Sequence, residues 1–179
     1  MKFRITFFAL ILAIVFVPRV SHAAPNTSGY AWGENVGWID FGLASTTNTY
    51  LDGYAYGENI GWISLNCLNT RSCSGAGSNP YAVTNNGNGK LSGYAWGENV
   101  GWIDFSRVNI ATTTASVGQF SGYAYGENIG WISLNCSNTG TCSGAGSNPY
   151  YVSTTWRPSG GGSTYSISGT VNYYTGSKQ

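Results

Sequence analysis

The chain is 179 residues long, only 8% charged and 15% aromatic, with 26 glycines, and its eight basic and seven acidic side chains give a formal net charge of +1. That balance makes nucleic acid and anionic membrane poor candidate partners, because both are recognised through a basic excess. The only histidine is His22 and the only methionine is Met1, so a chain that loses its first residues has no imidazole for Ser-His-Asp or Cys-His catalysis, or for a His-ligated metal.

Residues 1–23 read as a secretory signal. Lys2 and Arg4 precede an apolar run from Ile5 to Val17, and Ser21-His22-Ala23 offers the small residues that a signal peptidase reads. A run of that length is short for a bilayer span. Cleavage after Ala23 leaves five basic side chains against seven acidic ones, a net charge of −2. The expected location is extracellular or at the cell surface, with no membrane contact after cleavage.

Residues 24–27 form a leader, and from Ser28 the chain becomes repetitive. Ser28–Phe41, SGYAWGENVGWIDF, returns unchanged at Ser92–Phe105, and Gly53–Cys67, GYAYGENIGWISLNC, returns unchanged at Gly122–Cys136. Such repetition marks units that gain stability by packing on their neighbours. Within each copy, aromatic residues at every second position (Tyr30, Trp32) give the period of a strand. Gly33-Glu34-Asn35-Val36-Gly37 then supplies turn chemistry, and Trp38–Phe41 resumes the extended pattern. Each copy is therefore a β-hairpin, with Gly37 in the left-handed region and Glu34 and Asn35 bonding the turn's own amides. No window carries a helical stripe, so the expected fold class is all-β: tandem duplicated modules of aromatic hairpins, stacked as a sandwich or a solenoid.

The polar link Gly42–Leu51 corresponds to a link five residues longer, Ser106–Phe120, in the second half, which reads as a surface connection. Cys67 and Cys73, and likewise Cys136 and Cys142, sit at matching places. In an oxidising compartment they are expected to form two local disulfides rather than a shared zinc site, since their spacing is wide for a zinc knuckle. CSGAGSNPY follows at Cys73–Tyr81 and at Cys142–Tyr150, with short strands expected after each Asn-Pro turn. Module 1 thus spans 28–90 and module 2 spans 91–156. A Gly/Ser linker covers 157–164, and a strand-like tail covers 165–179.

Alternation places Ile39 and Phe41 on one strand face, with Trp38 and Asp40 on the other. The core expected from this is Ile39, Phe41, Ile63, Leu65, Ile103, Phe105, Ile132 and Leu134. For Trp38, Trp62, Trp102 and Trp131 two roles compete. One is a buried cross-strand aromatic ladder on Tyr30, Trp32 and their equivalents. The other is a set of exposed platforms for sugar rings, with Asp40, Asp104, Glu34, Glu58, Glu98 and Glu127 bonding hydroxyl groups. The acids are too sparse for a calcium cage. A glycosidase pair generated afresh in every repeat would be unusual, so neither catalysis nor a cofactor is expected.

The strings GYAWGENVGWIDF and GYAYGENIGWISL resemble the Gly-Tyr-Ala-Trp-x-Glu-Asn-x-Gly-Trp-Ile repeats of large exported bacterial proteins of unknown activity. The resemblance covers Ser28–Phe41, Gly53–Leu65, Ser92–Phe105 and Gly122–Leu134, and it implies a bacterial, secreted or surface protein. The function expected is a non-enzymatic structural or adhesive one. Self-association through sheet edges and the C-terminal strand would fit it, with surface or matrix partners. The alternative is a glycan-binding module working through the tryptophan platforms.

Overall fold

The computed structural model describes residues 24–112 and 117–158. The expected signal segment, residues 159–164 of the linker and the strand-like tail lie outside the described residues. The strands are β1 (Thr27–Gly33), β2 (Gly37–Thr46), β3 (Leu51–Gly57), β4 (Gly61–Ser64), β5 (Val83–Asn85), β6 (Leu91–Gly97), β7 (Gly101–Thr112), β8 (Gly118–Gly126), β9 (Gly130–Ser133) and β10 (Val152–Thr154). A single helical turn, Cys67–Thr70, and a 3-10 turn, Cys136–Asn138, complete the described elements.

The all-β expectation holds, but the arrangement is neither a sandwich nor a solenoid. Antiparallel pairing runs β1-β2-β3-β4-β6-β7-β8-β9, and β9 returns to β1, so eight strands close a barrel. Eight strands enclose a lumen that side chains can just fill. The eight expected core residues are all at most 2% exposed, and Ala31, Leu51, Ala55, Val83, Leu91, Val108, Phe120 and Val152 join them.

The hairpin register follows from the repeat. Tyr30↔Asp40, Ala31↔Ile39, Trp32↔Trp38 and Gly33↔Gly37 recur as Tyr94↔Asp104, Ala95↔Ile103, Trp96↔Trp102 and Gly97↔Gly101. The inward pairs are made of Ala, Ile or Gly, and the outward pairs of aromatic or acidic residues. Gly37 has φ +79°, as the turn chemistry requires. Val36, read from the sequence as a turn residue, is instead 6% exposed and folds into the barrel mouth. A Cβ on Gly33 would lie 2.5 Å from its methyl group, which is why a residue without a side chain stands there.

Val36, Ile60, Val100 and Ile129 together stop this end of the barrel. The four turns are then tied in a ring. Asn59 Nδ2 donates to the Val36 carbonyl at 3.1 Å, Asn99 to Ile60 at 3.2 Å, Asn128 to Val100 at 3.0 Å and Asn35 to Ile129 at 3.2 Å. The turn asparagine therefore bonds the neighbouring hairpin rather than its own turn. At the opposite end Trp156 is buried, with its indole N–H donating to Asn48 Oδ1 at 2.8 Å.

The interlinks also depart from the sequence reading. The β2–β3 and β7–β8 segments read as surface connections are largely strand, and they bury Ala44, Leu51, Val108, Ile110 and Phe120. The longer second link extends the β7–β8 ladder through Ile110↔Phe120 to Thr112↔Gly118.

Each meeting of the two halves is built from two short strands in one strand position. β4 pairs with β6 only through Ile63↔Gly97 and Ser64↔Trp96. The chain then leaves through the helical turn, whose first amides are capped by Asn66 Oδ1 accepting from Leu68 N at 2.8 Å. It returns as β5, which takes the rest of β6 through Val83↔Gly93 to Asn85↔Leu91. At the second seam β9 pairs with β1 at Trp32 and Gly33, and β10 continues from Gly29↔Val152 to Thr27↔Thr154. β10 also pairs with β8, and a Tyr50↔Thr84 bridge ties β5 to the start of β3. Both seams are thereby covered.

Candidate functional site

The outward faces carry the aromatic residues of the repeats. On the first hairpin Trp38 packs against Trp32, 4.7 Å between ring centroids at 59°, and edge-on against Tyr30 at 6.4 Å. A third ring, Tyr150, arrives from the other half and meets Trp38 edge-on at 5.4 Å. The second half repeats the cluster: Trp102 lies 4.6 Å from Trp96, 6.3 Å from Tyr94 and 5.4 Å from Tyr81.

The disulfides explain how the third ring is held. Cys67–Cys73 and Cys136–Cys142 both form, as their spacing predicts. The segment after the first bridge is bonded back onto it: Asn79 N donates to the Ser72 carbonyl at 2.8 Å and Cys67 N to the Tyr81 carbonyl at 2.9 Å. The Tyr81 hydroxyl donates to Ser64 Oγ at 2.9 Å. The second loop repeats the backbone bonds from Asn148 N to Thr141 O and from Cys136 N to Tyr150 O. Each bridge closes a short loop whose backbone, at Cys67 and Ser72 or at Cys136 and Thr141, holds the tyrosine-bearing segment that follows.

Two grooves result, one at each seam. The first, of about 1060 Å³, is lined by Tyr30, Trp32, Trp38, Asp40, Tyr56 and Glu58, with Asn148–Tyr151 as its far wall. The second, of about 910 Å³, is lined by Tyr94, Trp96, Trp102, Asp104, Tyr125 and Glu127, with Asn79–Ala82 opposite. Neither lining includes Lys or Arg. Both are small-molecule sized but open. Trp38 and Trp102 remain 39% and 38% exposed, so the rings pack across the hairpin and still present a free surface.

Trp62 and Trp131 do not join the grooves. They lie on open sheet faces against Tyr54 and Tyr56, and against Tyr123 and Tyr125, at 46% and 45% exposure. The Arg107 guanidinium sits 5.1 Å above the Trp131 ring.

The carboxylates of Asp40 and Asp104 are partly committed to the backbone. Asp40 Oδ1 accepts from Gly42 N at 2.8 Å. Asp104 Oδ1 accepts from Ser106 N, and its Oδ2 accepts from Ser106 Oγ, both at 2.8 Å. These contacts close the bulges where the β2–β3 and β7–β8 registers shift. Glu58 and Glu127 line the grooves; Glu34 and Glu98 do not. The Tyr54 phenol is displaced upward from its ordinary range. Burial first, then the ionisable Tyr81, Glu98 and Asp52 nearby, push it above 10.0.

Sequence reasoning missed Tyr81, Tyr150 and Tyr151 as groove residues. For Tyr81 and Tyr150 the signal was the repeated NPY that follows each disulfide loop, which reads as a turn until the seam brings it opposite the tryptophan. Among the described residues no three His, Cys, Asp or Glu side chains gather as a metal site, and no helix is long and apolar enough to cross a membrane. The two disulfides are consistent with an extracellular protein. No protein-family model, no curated protein and no solved structure matches the chain.

Proposed function

We propose that this chain is an exported, non-enzymatic adhesive protein that holds uncharged glycans in its two seam grooves. The observation that carries the reading is the duplicated groove itself. In each copy a tryptophan more than one-third exposed is held by three other rings beside a half-buried aspartate. Aromatic faces take the C–H face of a pyranose, and carboxylate oxygens accept from its hydroxyl groups. Acidic linings without a cation disfavour uronates, sulfates and phosphates.

The ring geometry narrows the ligand further. Neighbouring rings are inclined by 59–79° around Trp38, which makes a walled channel rather than a flat plate. Such a channel suits a single soluble chain better than a crystalline polysaccharide surface. Self-association through sheet edges has less support, because both seams are covered by β5 and β10; it rests on the tail at 165–179. The bacterial and surface setting implied by the resemblance of the repeats is part of the same proposal.

A glycan array probed with the parent protein and with Trp38→Ala/Trp102→Ala tests the reading. The parent is expected to bind neutral oligosaccharides and the double variant to lose them. Absence of any neutral glycan bound by the folded parent would falsify it.

A further inference from the structure

The two grooves share their tryptophan, tyrosine and aspartate, yet they differ at one wall. Continuing the β1–β10 register one step beyond Gly29↔Val152 sets Tyr151 beside Tyr30. The same step at the other seam sets Ala82 beside Tyr94, whose amide donates to the Ala82 carbonyl at 3.1 Å. Tyr151 is 45% exposed, lines its groove and faces outward with Tyr30, itself 51% exposed. Ala82 lines the other groove and offers only a methyl group there. One groove therefore has an additional aromatic surface at its end, and the other stops short. The acids give no comparable asymmetry, since Asp40 with Glu58 and Asp104 with Glu127 occupy matching places.

We infer that the protein carries two unequal glycan sites, and that the groove at the β1–β10 seam is the longer and tighter one because Tyr151 adds a further sugar subsite. This rests on the glycan-binding reading above and assigns it a chain-length dependence. The ligand class is an uncharged, extended oligosaccharide. A short one fills only the part common to both grooves, around Trp38 or Trp102, and a longer one also reaches Tyr151. One more stacked ring is worth about 0.5–1.5 kcal/mol, so the long-chain affinities of the two grooves differ by about two- to twelvefold.

The test is calorimetric titration of the oxidised protein with the tri- and hexasaccharides of β-1,4-linked glucose and of β-1,4-linked N-acetylglucosamine. Parent, Tyr151→Ala and Ala82→Tyr proteins are compared, with tryptophan fluorescence of Trp38→Ala and Trp102→Ala variants assigning each site. The expected result with a hexasaccharide is two classes of site, the tighter one lost with Trp38→Ala. With the trisaccharide the two sites become alike. Tyr151→Ala brings the tighter site down to the weaker, and Ala82→Tyr brings the weaker up. Two sites of equal affinity for the hexasaccharide, or a hexasaccharide preference that survives Tyr151→Ala, overturn the inequality and leave glycan binding standing. If the parent binds neither series, and no neutral glycan on the array, both proposals fall together.

Discussion

The two halves of the barrel are the natural comparison, because the same strings fold twice in one molecule. Their hairpins agree in register, and the ring distances around Trp38 and Trp102 agree within 0.1 Å. Departures fall on the outer face, as Leu43 against Arg107, at the seams, as Ala82 against Tyr151, and in the core, where Ala44, Thr46 and Leu51 stand against Val108, Ile110 and Phe120. The hairpin core is the same in both halves (Ala31 and Ala95, Ile39 and Ile103, Phe41 and Phe105), whereas the β2–β3 and β7–β8 interlinks fill their end of the barrel with side chains of different volume.

Breaking the lumen is the harshest test of equivalence. Phe41→Ala and Phe105→Ala should each cost about 3–5 kcal/mol by cavity formation and match one another, read from chemical denaturation of the oxidised protein. A large difference between them would show that the halves are not energetically alike.

Opening the turn ring comes next. Removing one turn amide, as in Asn99→Ala, leaves the Ile60 carbonyl without its donor and should cost about 1 kcal/mol. Its counterpart Asn35→Ala, which acts across the chain-terminal seam, should cost the same. A cost near zero for both would mean that the ring is incidental to closure.

A third change sharpens the comparison by erasing a difference. In the second half Gly122 N donates to Asn138 Oδ1 at 3.0 Å. In the first half Gly53 N turns instead to Asp52 Oδ1 at 2.9 Å, and buried Asn69 Oδ1 is left without a partner. Asp52→Ser copies the second half's residue, frees the Gly53 amide for Asn69 and should raise stability by about 1 kcal/mol. A fall in the unfolding midpoint would contradict this explanation of the orphaned oxygen. Arg107→Leu, which copies Leu43, should cost only about 0.5 kcal/mol through the lost cation–π contact, while changing Trp131 fluorescence.

The smallest effect is alkaline. Tyr54 has a raised pKa, so the folded protein holds that proton more tightly than the unfolded chain does. Its contribution is full below the unfolded value near pH 10 and is lost as pH rises through the folded value. Tyr54→Phe should flatten the stability loss above pH 10 relative to the parent in a pH series of thermal melts. It also forfeits the phenol's bond to the Asn69 carbonyl at 2.9 Å, so at neutral pH the variant should be slightly weaker.

Much of this was legible in the residues. Two-residue periodicity located the hairpins, the left-handed glycine was readable from the turn, and Ile39, Phe41 and their equivalents were assigned inward correctly. Cysteine spacing predicted both bridges. The closure was not legible, because it depends on β4 stopping after four residues and β5 resuming the same strand position nearly twenty residues later. No local pattern encodes that return. Val36 was hidden for a similar reason: a β-branched residue inside a turn looks solvent-facing until four turns converge. Asn35 bonds a carbonyl 94 residues away, and local turn chemistry offered it a nearer partner. The grooves inherit the same limitation, since each takes its walls from both halves.

Both grooves exist only where one half meets the other, so the closed seam is the premise on which binding stands. Native-state amide exchange followed by NMR tests it most directly. In a single barrel the amides bonded across Ile63↔Gly97 and Gly33↔Ile132 should be protected as strongly as those inside the hairpins, and all should exchange through one cooperative opening. Rapid exchange at the two seams, with the hairpins still protected, would mean two separate modules and no groove between them.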